Sequence, residues 1–233
     1  MKIISFKICP FVQRVTALLE AKSIDYDIEF INLSGKPEWF LDISPNGQVP
    51  VLITDNGEAL FESDAIVEYL EEAYPALQPE ISLAQKAKHR AWSYLASKNY
   101  LVQCSAQRSP DEHTLKERSS KLEKAFDTVE KQLGDRPFFA GDKISMVDIA
   151  WLPLLHRADI INRNTCYDFI GNRPKLKAWQ KQLVNTGLAE KSVASDFEEI
   201  FTGFYLSDKT YLGQGRAAEK CTFNQECALD GCC

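Results

Sequence analysis

No stretch of this chain approaches the roughly 18 consecutive apolar residues that a membrane-spanning helix needs. The opening run Met1-Lys2-Ile3-Ile4-Ser5-Phe6-Lys7 is interrupted by lysine and is followed by no small-residue cleavage site, so a secretory signal is not expected. Both absences point to a cytoplasmic protein. Histidine is scarce, with His89, His113 and His156 scattered and none near a cysteine at metal-ligand spacing; no metal site is expected. Basic residues are few in the first 80 positions, five against fourteen acidic, a net −9, while the remainder carries twenty-two against nineteen, a net +3. An acidic front half argues against a nucleic-acid surface there; the asymmetry would let the two halves attract each other, within a chain or between chains, with plain solvated charge as the alternative. There is no internal repeat and no low-complexity segment. Cys9, finally, has no second cysteine three residues on, where Val12 stands. A thioredoxin-like dithiol is excluded, and the partner of Cys9 is expected to be a thiol from outside the fold.

What is present is an ordinary globular mixture: 233 residues, 45% hydrophobic and 26% charged, enough for one large domain or two smaller ones. The stretch that organises it is Ile8-Cys9-Pro10-Phe11-Val12-Gln13-Arg14. A short apolar run leads in and a helical pattern leads out, so Cys9 falls where a strand hands over to a helix. Pro10 suits the first helical position. The unpaired N–H groups beyond it and the helix dipole favour a thiolate, and cysteines so placed have pKa values of roughly 3.5–7.5. Arg14, one turn on, adds positive charge. The competing reading is a small buried apolar residue.

Further along, residues 1–8 read as a strand, 10–22 as a helix and 26–31 as a strand whose apolar and acidic residues alternate with the period of a half-buried element. This is a βαβ unit with parallel strands. Gly35 and Pro37 mark a loop containing Lys36. Asn46-Gly47 marks a turn, and Pro50 precedes a strand from Val51 to Thr54. A cis Val49–Pro50 bond would leave the Val49 N–H and C=O free for an extended peptide ligand; the residues leave the isomer open. A strand over 58–61 runs into Glu62-Ser63-Asp64. Ser63 reads as the N-cap of the next helix, a place that also suits a ligand carboxylate, with Glu62 set to meet a ligand ammonium; plain capping is the alternative. Tyr74 to Pro79 breaks the pattern. Beyond it the chain reads as helices only: Leu83 to Ala106, an apolar stripe Leu115, Leu122, Phe126, Val129, Leu133, a capping box at Ser145-Met146-Val147-Asp148 opening an apolar helix, and Pro174 to Val184.

Together these pieces resemble the glutathione transferase superfamily over roughly residues 1–200. The resemblance is carried by the Cys9 motif, Gln48-Val49-Pro50-Val51-Leu52, Glu62-Ser63-Asp64-Ala65-Ile66, and Gly141-Asp142-Lys143-Ile144-Ser145-Met146-Val147-Asp148-Ile149-Ala150. Lys36-Pro37-Glu38-Trp39-Phe40 and the Cys9 run are similar to the cysteine-type, omega-like branch. The resemblance implies an α/β thioredoxin-like N-terminal domain (1–75), a linker (76–80), an all-α domain (81–205) and an irregular tail (206–233). It implies that Cys9 carries the chemistry, that Val49 before a cis Pro50 pairs with the cysteinyl backbone of glutathione, that Glu62 and Ser63 hold its γ-glutamyl amine and carboxylate, that Lys36 meets its glycyl carboxylate and that Phe11 walls the thiol pocket. Glutathione is then the co-substrate and a homodimer the expected assembly. The acceptor pocket is placed near the helix with Trp92 and Lys98 and the segment after Phe201.

A cysteine thiolate is a stronger nucleophile than the serine or tyrosine of other classes, and enters disulfide exchange. The expected activity is therefore thiol transfer or reduction through a Cys9–glutathione mixed disulfide, dehydroascorbate reduction included. A non-catalytic binding protein on the same fold and a glutathione-conjugating transferase are the alternatives. The acceptor is not legible. Cys104 and Cys166 read as packing residues. Cys221, Cys227, Cys232 and Cys233 match no zinc pattern and no prenylation box; incidental thiols and a redox or gating role both stay open.

Overall fold

Short apolar runs and amphipathic segments alternate in the first third of the chain, then strands cease. The structure, a computed structural model, describes residues 1–215; the four tail cysteines, Cys221, Cys227, Cys232 and Cys233, lie outside the described residues. The elements of the first part are β1 (Lys2–Ser5), α1 (Pro10–Ala21), β2 (Asp27–Phe30), α2 (Glu38–Ile43), β3 (Val51–Ile53), β4 (Ala59–Phe61) and α3 (Ser63–Ala73). The sheet order is β2-β1-β3-β4. β1 and β2 run parallel, as the strand–helix–strand pattern predicts, and β3 and β4 are antiparallel additions. This is a thioredoxin-like α/β domain.

β1 and β3 form the centre of the sheet because Ile3, Ile4, Val51 and Leu52 leave no exposed area, as strands covered on both faces require. β2 departs from the expected half-buried alternation: Ile28 and Phe30 are both about 40% exposed. The strand lies at the sheet edge, and Phe30 is covered only in part, by the Lys7 ammonium 5.4 Å from its ring centre.

The second part is helical: α4 (Leu83–Gln107), α5 (Glu112–Gln132), α6 (Met146–Thr165), α7 (Pro174–Asn185), α8 (Leu188–Lys191) and α9 (Phe197–Tyr205), with a 3-10 turn at Leu212–Gln214. α6 is its axis; nearly every side chain from Val147 to Ile161 is buried. Its start is fixed by the expected capping box. Asp148 accepts from the Ser145 N–H at 2.8 Å and hydroxyl at 2.6 Å, and also from the Phe139 N–H at 2.9 Å and Trp179 Nε1 at 2.6 Å. The start of the expected irregular tail is built in: Thr210, Tyr211 and Leu212 are buried, and the Tyr211 N–H donates to the Ser109 carbonyl at 2.8 Å. Among the described residues, no helix is long and apolar enough to cross a membrane.

α1 sits between the sheet and the helical half, so it is buried on almost every side. Its polar residues serve the second contact. Gln13 and Thr16, one turn apart, face α6 and α8. The Gln13 Nε2 group lies 2.9 Å from His156 Nδ1, and the Thr16 hydroxyl donates to the Ser192 carbonyl at 2.6 Å. Lys7 pairs with Asp196 at 2.5 Å, and Arg90 of the helical half pairs with Glu68 at 2.6 Å. The acidic first half and the more basic remainder thus meet through ion pairs as well as apolar packing.

Candidate active site

Cys9 is the N-cap of α1, in extended backbone, with Pro10 in the first turn. Its carbonyl accepts the first helical hydrogen bond, from the Gln13 N–H at 3.1 Å, and its own N–H is held by the Phe6 carbonyl at 3.0 Å. β1 stops at Ser5, so a three-residue loop, not the strand itself, delivers Cys9 to the helix. The Phe11 and Val12 N–H groups point at the sulfur and draw its pKa down, as the helix start predicts. They do not prevail. Burial, the largest influence, pushes the Cys9 thiol up to about 11. The Cys9 S–H also approaches the Val49 carbonyl at 4.0 Å, an interaction open only to the protonated form. The expectation of a depressed pKa is therefore corrected: in the unliganded protein Cys9 is a thiol, because the sulfur loses water faster than two amides and one distant cation compensate.

That cation is not Arg14. The buried Arg14 guanidinium turns to Asp64 of α3. The charge that lowers the Cys9 pKa is Arg157, from α6. Arg157 is fully buried; it donates to Gln13 Oε1, to the Pro153 carbonyl at 3.0 Å and to the Ile8 carbonyl at 3.2 Å, and its guanidinium lies 5.3 Å from the Phe197 ring centre. Nothing local in the sequence marks it, because it lies 148 positions from Cys9.

Two cavities lie near Cys9 and share Phe11, whose ring packs edge-on against Tyr100 at 5.0 Å; Cys9 itself lines the larger and reaches the smaller through Val49. The smaller, about 140 Å³, is lined by Val49, Pro50, Glu62 and Ser63 among others. Val49–Pro50 is cis. The Val49 N–H has no partner among the described residues. Glu62 has a φ of +68°, uncommon for a residue with a side chain and a mark of over-determined local structure. Its carboxylate accepts from Asn46 Nδ2 at 2.7 Å. Glu62, not Ser63, is the N-cap of α3; Ser63 occupies the first helical position and is buried. The backbone turn at Glu62 starts the helix one residue earlier than the serine signal suggests. Lys36 is exposed and does not line this cavity, but its Nζ folds over the next turn: a Cβ on Gly47 would meet it at 3.3 Å. Asn46 and Gln48 also line the cavity; the sequence showed the first only as a turn residue.

The larger cavity, about 650 Å³, is lined by Cys9 and lies between the two halves. α4 presents Leu101, Cys104, Ser105 and Arg108 to it, one stripe at helical spacing, and α9 presents Phe204 and Tyr205. The segment after Phe201 is where it was expected. Trp92 is not: it packs on Phe139 and gives its carbonyl to Trp151 Nε1 at 3.1 Å, two to three turns before the stripe. Lys98 is exposed, one turn short of it. Cys104 is half-buried and packs against the core, as expected, but it also forms part of the cavity wall. Cys166 is exposed at the C-cap of α6 in left-handed backbone.

The chain matches two family models, the glutathione S-transferase N-terminal domain over residues 8–73 and the glutathione S-transferase C-terminal domain over residues 112–180. It is 35% identical over 215 residues to glutathione S-transferase omega-1 of Rattus norvegicus, covering 89% of this chain and 87% of that protein. It is 36% identical over 154 residues to glutathione S-transferase DHAR2 of Arabidopsis thaliana, covering 65% and 68%. Among solved structures, glutathione transferase Omega 3C of Trametes versicolor superposes with a TM-score of 0.72 at 26% identity, over 86% of this chain and 88% of that one. Rice GST1 in complex with glutathione shares the fold with a TM-score of 0.74 at 23% identity, over 88% and 96%.

Proposed function

Since the chain belongs to the glutathione S-transferase family, we propose that it is a glutathione-dependent thiol transferase or reductase whose reacting atom is Cys9 Sγ. The observation that carries this reading is a single sulfur at the start of α1 that lines the larger cavity and lies 4.0 Å from the Val49 carbonyl of the smaller. In this reading glutathione lies in the smaller cavity. Val49 pairs with its cysteinyl backbone beside the cis Pro50, Glu62 and Ser63 hold the γ-glutamyl amine and carboxylate, Lys36 reaches the glycyl carboxylate from the rim, and Phe11 separates the two cavities.

The reaction is two exchanges. The Cys9 thiolate attacks the glutathione sulfur of a mixed disulfide; the S–S bond breaks, the acceptor leaves as a thiolate and Cys9 carries glutathione. A second glutathione thiolate attacks that bond, oxidised glutathione leaves and Cys9 is restored. Both steps need ionised sulfur. When a glutathione N–H takes the Val49 carbonyl, the Cys9 S–H loses its hydrogen-bond acceptor among the described residues. The Phe11 and Val12 amides and Arg157 then favour the anion unopposed by that bond.

Incubation with oxidised glutathione should add one glutathione mass to a peptide containing Cys9. The Cys9→Ser variant should fall to the uncatalysed rate of mixed-disulfide reduction. Labelling only at the tail cysteines would overturn the proposal. A second reading, conjugation by bound glutathione, is favoured by one observation: a protonated Cys9 is a hydrogen-bond donor suited to hold a glutathione thiolate. It predicts that Cys9→Ser keeps activity toward electrophiles.

A cytoplasmic location belongs to this reading, because a thiol working with reduced glutathione needs a reducing compartment. So does a homodimer, first domain against the partner's second. It is supported by the charge asymmetry and by the exposed Phe61, Tyr69, Leu83 and Tyr94; light scattering distinguishes 26.4 kDa from twice that mass.

A further inference from the structure

Eight arginines lie among the described residues, and five of them pair with a carboxylate: Arg14, Arg90, Arg136, Arg163 and Arg173. The three without such a partner among the described residues are Arg108, Arg118 and Arg157. All three gather around one place. Arg157 lies behind Cys9, while Arg108 and Arg118 line the larger cavity. Among the described residues, no Asp or Glu is in that lining. In a chain of net charge −6, this concentrates positive potential in a single cleft.

The two outer guanidiniums are held in position. Arg108 is the C-cap of α4, where the helix dipole favours a cation, and it lies 5.3 Å from the Phe204 ring centre. Arg118, reaching from α5, donates to the Ser105 carbonyl at 3.1 Å. Each keeps donor groups to spare, since a guanidinium has five N–H bonds. Between them and Cys9 the wall is apolar: Phe6, Phe11, Leu101 and Phe204.

We propose that this cavity selects acceptors that join an apolar or aromatic body to an anionic group, the body lying on Phe11 and Phe204 and the anion meeting Arg108 and Arg118. This rests on the reading of Cys9 as the thiol-transfer residue, and names the class of group that leaves it.

Binding tests the assignment without requiring turnover. Two inert thioethers serve as probes, S-[4-(2-carboxyethyl)benzyl]glutathione and the matching carboxamide, measured by calorimetry on the full chain. Both arginines are exposed, so a rim-type gain applies: the carboxylate should bind roughly three- to tenfold tighter at low salt. The gap should narrow with added salt, close in R108Q/R118Q and largely persist in R108K/R118K. Equal affinity in the wild type, no binding of either probe, or a gap that survives R108Q/R118Q would overturn the proposal. The corresponding mixed disulfides, whose charge is insulated from the leaving sulfur by the ethylene spacer, read the other claim. If they are not turned over while the thioether gap stands, thiol transfer fails and the acceptor assignment holds. If they are turned over while the thioethers bind equally, the reverse is true.

Discussion

Cys9 shows how two local rules contend at one atom. A helix start lowers a thiol pKa and burial raises it; here burial wins, at about 11. At pH 7 about one resting molecule in 10⁴ then carries the thiolate. The greater nucleophilicity of a basic sulfur recovers less than half of that loss on a logarithmic scale, since the Brønsted slope is about 0.4–0.5. Alkylation of the unliganded protein by iodoacetamide should thus rise about tenfold per pH unit from pH 7 to pH 10 without a plateau, and Arg157→Gln should slow it further by removing a charge that favours the anion. A plateau below pH 8, read by mass spectrometry of the Cys9 peptide, would show that the sulfur ionises more readily than its burial allows.

At the scale of the element, the start of α6 is the feature most firmly specified by local sequence. The Ser145–Asp148 capping box is recognisable from four consecutive residues, and it forms. What the box cannot reveal is that the same carboxylate also receives Phe139 and Trp179. Asp148→Ala strands two donors besides the cap, the Phe139 N–H and Trp179 Nε1, so we expect a loss of about 2–5 kcal/mol by urea denaturation. Ser145→Ala, which removes the hydroxyl alone, should cost about 1 kcal/mol. A loss for Asp148→Ala no larger than that for Ser145→Ala would show that the tertiary bonds add nothing. At the start of α3 the local signal was off by one residue: Ser63 carried the statistical preference, but the positive φ at Glu62 turned the chain first.

Over the whole molecule, the junction between the two halves is polar at its centre. His156, buried against Gln13 and stacked on Phe197 at 5.4 Å, has its pKa lowered to about 3, first by burial and then by Arg157. The unfolded chain titrates this group near 6.5, so between these values it binds the proton that the folded chain refuses. The contribution of neutral His156 to stability is complete above pH 6.5 and is lost as pH falls toward 3, at up to about 1.4 kcal/mol per pH unit. The urea midpoint should drop between pH 6.5 and pH 4.5, and His156→Gln should flatten that drop whatever it does to stability at pH 7. An unchanged slope would assign the acid sensitivity to other groups.

The chain by itself determined the order of strands and helices, the break near Pro75, the apolar faces and the position of Cys9 at a helix start. Each of these is set by neighbours within a few residues, through periodicity, capping and the fixed φ of proline. Only the tertiary structure decided that β2 would be a partly bare edge, that Arg157 rather than Arg14 would stand behind the sulfur, that Cys104 would face the same cavity, and that three arginines without a carboxylate partner among the described residues would converge there. Those outcomes depend on which distant surfaces meet and on how much water they expel, and neither quantity is written in the spacing of residues along the chain.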